Sequence, residues 1–194
     1  LDGMGGMRLI DLDDMSRNTY NVVTELPYQN GDDEFRPDIT LLINGLPLAF
    51  VEVKKPNNRD GIIAEHKRIN SRYKKKVFRR FVNITQVMVF SNNMEYDDTE
   101  VEPITGAFYA SSSYDKLFFN RFREEDPQIQ TILPALQEET EELILRDNNL
   151  ASIRGTKEYQ TNLNELSPTN RILTSLFLPS RFLKLLKYGF AYVE

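Results

Sequence analysis

The segment from Arg36 to Pro56, RPDITLLINGLPLAFVEVKKP, constrains this chain more than any other. Asp38 to Ile43 and Leu48 to Lys54 read as two β-strands around Asn44-Gly45, a strong hairpin-turn dipeptide. Side chains alternate along a strand, so Leu48, Phe50, Glu52 and Lys54 share one face. Ala49, Val51 and Val53 share the other, an apolar face suited to packing. A two-residue turn pairs positions whose numbers sum to 89, which would set Asp38 opposite Val51, away from Glu52. A three-residue loop or a bulge changes that sum by one and brings Asp38 onto the Glu52 face. The sequence therefore predicts an irregular hairpin; a clean two-residue one would separate the acids.

Brought together, Asp38 and Glu52 with the Val53 carbonyl and water offer the all-oxygen set that Mg²⁺ prefers. Lys54 lies two residues past Glu52, where it can orient or help deprotonate a water and offset developing charge. Phosphodiester hydrolysis needs this combination. Glu-x-Lys by spacing alone also suits a solvated surface hairpin, but the remainder of that face is Leu48 and Phe50. Glu25, near the end of a first strand over Tyr20 to Leu26, is either a further acid near the metal or an exposed strand-end residue.

Charge adds a substrate. Net charge is −5, yet Lys54 to Arg80 holds 11 Lys/Arg against Asp60 and Glu65, so this segment carries +9 and the remainder −14. Such asymmetry focuses positive potential, as a polyanion such as double-stranded DNA requires. Lys55, Lys74, Lys75, Lys76, Arg79 and Arg80 are candidate phosphate contacts; a solvated helix end complementing the helix dipole is the competing reading. The absence of cysteine excludes disulfides and thiolate metal sites. No apolar run approaches a membrane span, so a membrane partner is not expected and the cytoplasm is. The chain starts at Leu1 and reads as a fragment of a longer protein.

The expected architecture is α/β, a mixed sheet with flanking helices followed by a helical C-terminal segment. Asp60 is the expected N-cap of a helix to about Lys76, with Ile62, His66, Ile69, Tyr73 and Val77 facing inward. Ile84 to Ser91 and Gly106 to Ala110 read as strands, the first buried on both faces. Tyr114, Phe118, Phe119 and Phe122 have helical spacing and read as core. After Asp126 the chain turns helical: Pro127 to Arg146, then a helix capped by Ser167-Pro168 to about Phe177. A last helix opens at Pro179 and closes at Gly189. The domain division is 1–126 for the core and 127–194 for the helical segment.

The order Pro-Asp, hairpin, Glu-x-Lys, basic helix, buried strand resembles the PD-(D/E)xK nuclease superfamily. The wider run RPDITLLINGLPLAFVEVKKPNN, with VFSNNMEY, GAFYASSSY and NRILTSLFLPSRFLKLLKYGFAYVE, resembles the N-terminal nuclease domain of type I restriction R (motor) subunits. That resemblance implies that Asp38 and Glu52 are the metal-binding acids and Lys54 the catalytic lysine of a type I deoxyribonuclease. It implies modification and specificity subunits as partners, and an ATP-driven motor that pulls in DNA. The chain has no GxxxxGK[ST] loop, so ATP belongs to the full-length subunit only. The family's Gln-x-x-x-Tyr pair is missing; His66 and Asn70 stand at about that place, as accessory groups or as a hydrogen-bonded core pair. A non-catalytic DNA- or partner-docking module of the same fold, and a stand-alone resolvase or repair nuclease, are the alternatives.

Overall fold

The computed structural model describes residues 9–55, 58, 60–97, 99, 101, 105–111, 116–121, 137–164 and 166–190. Six strands form one mixed sheet: β1 (Tyr20–Thr24), β4 (Ile39–Ile43), β5 (Leu46–Val53), β6 (Val87–Ser91), β7 (Ala107–Ser111) and β8 (Asn120–Arg121), in that spatial order. β2 (Tyr28–Asn30) and β3 (Asp33–Phe35) form a separate hairpin. Among the described strands, only β5 and β6 pair in parallel. Their connection carries α1 (Gly61–Tyr73) and α2 (Arg79–Ile84) over one face of the sheet. After β8 come α3 (Glu138–Asp147), α4 (Lys157–Asn162), α5 (Pro168–Phe177) and α6 (Pro179–Leu185).

The sheet is buried on both sides. Phe50, Met88, Phe90, Phe108 and Ala110 meet Ile62 and Ile69 of α1 and Phe78 and Phe81 at α2, with Phe35 edge-on to Phe50. Ala49, Val51, Val87, Val89 and Ala107 meet Ile172 and Leu176 of α5 and Phe182 and Leu183 of α6. Every residue of β6 is buried, which its unbroken apolar run predicts for a central strand. The Ser167 hydroxyl accepts from the Asn170 amide with Pro168 first in the helix, so α5 begins where its capping signal lies.

Elsewhere the boundaries move. The helix from Asp60 ends at Tyr73, not Lys76, because Lys75 is extended (ψ 126°) before a 3₁₀ turn over Lys76–Phe78. That break lets Phe78 and Phe81 reach the aromatic cluster around Phe35. α2 occupies Arg79–Ile84, so the strand expected from Ile84 starts at Val87. Asp60 precedes α1 in helical backbone geometry and its side chain makes no cap hydrogen bond. Gly189 does not close the last helix; it lies inside a π-helical turn over Leu186–Phe190. Tyr114, Phe122 and positions 127–136 of the expected helix lie outside the described residues.

Candidate active site

The hairpin that parity required to be irregular is irregular, in a specific way. β4 and β5 are joined by a two-residue turn with left-handed φ at Asn44 (51°) and Gly45 (81°). Ile43 pairs with Leu46 and Leu42 with Pro47, then the register shifts so that Leu41 pairs with Ala49 and Ile39 with Val51. Leu48 is the extra residue. The irregularity thus sits inside β5 and not in the loop. It also corrects the face assignment: Leu48 joins Ala49 and Val51 in the core beneath α5 and α6, because a bulge turns two consecutive side chains to one side. Beyond the bulge the alternation resumes, with Phe50 and Glu52 on the α1 face.

Asp38, one residue before β4, is consequently level with the end of β5. Its Oδ2 accepts from the Val53 amide at 2.7 Å, and its backbone carbonyl accepts from the Glu25 amide at 3.0 Å. Glu52 is 5% exposed. Lys54 Nζ donates to Glu52 Oε2 at 3.1 Å and lies 3.3 Å from Glu65 Oε2. Burial pushes the Glu52 carboxyl up to about 7, helped by the neighbouring Glu65 and Asp38 carboxylates and opposed by Lys54. For Lys54, burial pulls downward, but Glu52 and Glu65 together outweigh it and hold the ammonium above the ordinary lysine range. Two clefts flank the group. One of about 420 Å³ runs past Val53, Lys54 and Lys55 to Ser91, Asn93 and Thr169. The other brings Thr24, Glu25 and Asn148 to Asp38 and Val53.

Could these residues hold a metal? Among the described residues no three His, Asp or Glu side chains cluster tightly enough to bind one alone. Asp38 and Glu52 with a backbone carbonyl make the smaller oxygen set that a water-retaining cation accepts. Glu52 is a buried carboxylate with the Asp38 and Glu65 carboxylates near it, and a cation held there would compensate its lost hydration. The donors are compatible with Mg²⁺ and lack the nitrogen and sulfur that would favour zinc.

The family model described as type I restriction enzyme R protein N terminus matches residues 3–101, half of the chain. The chain belongs to this R protein N-terminal family. A Methanocaldococcus jannaschii protein provisionally named the type I restriction enzyme MjaVIIIP endonuclease subunit is 28% identical over 93 residues, 48% of this chain and 9% of that protein. Another from the same organism, provisionally named the MjaIXP endonuclease subunit, is 25% identical over 130 residues, 65% of this chain and 11% of the relative. The matched segments are thus a small part of much longer proteins. No solved structure matches the chain.

In this R-protein N-terminal chain, Glu25 and Lys55 line the two clefts, while His66 and Asn70 bond to a different segment. His66 Nε2 contacts the Leu117 carbonyl at 2.7 Å, and Asn70 Oδ1 accepts from the Leu117 amide at 2.8 Å. The pair therefore clamps the segment leading into β8, with Phe119 packed on the imidazole. Glu25 is exposed and 3.6 Å from Arg36, which also pairs with Glu34. Lys55 lines the cleft beside Lys54. Lys74, Lys75, Lys76 and Arg79 follow the far end of α1, about 20 Å away for a helix of 13 residues. Lys75 there pairs with Asp33. The residue that sequence reasoning missed is Glu65. It sits between Ile62 and Ile69 on the inward stripe of α1, and that spacing was the available signal. Among the described residues no helix is long and apolar enough to cross a membrane.

Proposed function

We propose that this chain is the DNA-cleaving domain of a type I restriction R subunit, with a PD-(D/E)xK core. It hydrolyses phosphodiester bonds of double-stranded DNA with Mg²⁺ held by Asp38, Glu52 and the Val53 carbonyl. The observation that carries this reading is the bulge at Leu48, which sets Asp38 beside Val53 and so beside Glu52 and Lys54. Family membership supports it. When bound, the cation would polarise the phosphate and lower the pKa of a coordinated water.

The chain's own residues supply the remainder. The Val53 amide fixes Asp38, so this carboxylate is presented without a search through rotamers. Glu52, whose carboxyl burial raises to about 7, is protonated in part near neutral pH and would hold the cation in its ionised form. Lys54 keeps its proton near neutral pH, since two carboxylates hold its ammonium. It therefore works as a hydrogen-bond donor that orients water and stabilises charge on the phosphate, rather than as a base. In the full-length subunit an ATP-driven motor would deliver DNA, while modification and specificity subunits choose the sequence. The complex would act in the cytoplasm.

The test uses the full complex. Asp38→Ala or Lys54→Ala should abolish cleavage while ATP-driven translocation continues. Unchanged cleavage would remove the nuclease assignment and leave a docking module. Vigorous ATP-independent cutting by the isolated chain would favour a stand-alone nuclease.

A further inference from the structure

Glu65 is 0% exposed, and a buried carboxylate persists only where opposite charge compensates its lost hydration. Three cations surround it. Oε2 accepts from Arg68 at 2.8 Å and faces Lys54 at 3.3 Å, while Oε1 makes no hydrogen bond and lies 3.7 Å from Arg72. Arg72 is itself braced over the Phe35 ring at 4.4 Å. The backbone brings α1 close enough for this contact: a Cβ on Gly61 would stand 3.3 Å from the Lys54 Cβ.

Lys54 has two carboxylate partners with different commitments. Glu52 is a proposed metal ligand, and a ligand's charge is shared with its cation, which weakens its pull on the ammonium. Glu65 reaches Lys54 from α1, with Arg68 hydrogen-bonded to it and Arg72 3.7 Å away. We infer that Glu65 is a positioning residue: it anchors the Lys54 ammonium from α1, while Arg68 and Arg72 neutralise and orient the Glu65 carboxylate. The inference rests on the nuclease reading of Asp38, Glu52 and Lys54, and it assigns Glu65 no contact with DNA or metal.

Two variants of the full-length subunit, assembled with its partners, test it. Glu65→Gln removes the charge at nearly constant shape. Glu65→Asp keeps the charge that Arg68 and Arg72 need but draws the carboxylate back from Lys54, and so guards against a folding failure of the first. The maximal cleavage rate should fall by about tenfold or more in either, since small displacements of a catalytic group carry such losses. Half-saturating Mg²⁺ and DNA concentrations should stay within about twofold, because neither is bound by Glu65. A second readout needs no metal and no cleavage: acylation of Lys54 by an amine reagent, followed by mass spectrometry with Lys55 as internal reference. Release from Glu65 should speed Lys54 labelling by about fivefold. Wild-type cleavage in a folded variant, unchanged Lys54 labelling, or a Mg²⁺ requirement that shifts in step with the rate would each overturn the inference, the last by making Glu65 a ligand. Failure of the nuclease reading looks different: Asp38→Ala would then still cut, whatever Lys54 labelling shows.

Discussion

Glu52 occupies a position that costs the apo protein stability. Its carboxyl is raised to about 7 by burial and by Glu65 and Asp38, against 4.5 for a free glutamate. Between those values the native chain binds more protons than the unfolded one. Stability from this group is therefore complete below pH 4.5 and is lost as pH rises through 7. The loss amounts to on the order of 3 kcal/mol for such a shift. Urea denaturation at pH 5 and pH 8 should show it in the wild type and much less of it in Glu52→Gln. Added Mg²⁺ should recover stability at pH 8 in the wild type alone. An identical pH response in both proteins would mean that Glu52 is not strained by its surroundings. The grouping of Glu52, Asp38 and Lys54 in space was legible in the sequence because strand alternation is rigid and the flanking residues, Pro37, Phe50 and Val51, leave little choice of face. Glu65 was not, since a glutamate in a basic helix reads as solvated until one knows that Lys54 ends beside it.

The β4–β5 hairpin shows where parity helps and where it stops. Alternation alone required one unit of slippage between Asp38 and Glu52. It did not choose between the turn and the strand, because Asn44-Gly45 suits a two-residue turn; Pro47, which cannot donate to the ladder and within sheets is found at bulges, was the signal in β5. β2 and β3 escaped notice for a related reason: strands of three residues rich in polar side chains have no period to detect. The turn itself has a second task. Asn44 Oδ1 accepts from the Thr19 amide at 2.8 Å, and its Nδ2 donates to the Leu9 carbonyl and to Asn18 Oδ1, both at 2.9 Å. One side chain thus ties the segment before β1 to the hairpin that carries the site. Asn44→Ala should cost about 2 kcal/mol, combining lost hydrogen bonds with left-handed backbone strain. Asn44→Gly should cost about 1 kcal/mol less, since glycine accepts φ of 51° freely. Denaturant midpoints of the two variants check this, and equal losses would assign the whole effect to the side-chain bonds.

Across the molecule, charge is distributed along the length of α1. Near its start Glu65 pairs with Lys54; at its end the chain turns through Lys74, Lys75 and Lys76 into Arg79 and Arg80. Acidic α3 lies elsewhere, its Glu138, Glu141 and Glu142 gathered on Arg154, and Asn148 after it borders the cleft at Asp38. The sequence announced the basic excess but not its division: Arg68 and Arg72 turn inward to Glu65, and Lys75 pairs with Asp33. What faces solvent near Arg79 is a cleft with Asn30, Lys76, Arg80 and Asn83, about one helix length from the acids. Along a DNA strand, about 20 Å corresponds to roughly six phosphates. On the proposed reading, a duplex held at Glu52 would reach this cleft, and its contacts there would hold the backbone without touching the scissile bond. The double variant Arg79→Glu/Arg80→Glu should weaken DNA binding and flatten its salt dependence by about two units of log–log slope. Single-turnover cleavage at saturating DNA should remain at the wild-type rate, the reverse of the pattern expected at Glu65. An unchanged salt slope would remove α2 from the DNA path, and a lost cleavage rate at saturation would mean that the far end of α1 orients the scissile bond as well as holding the backbone.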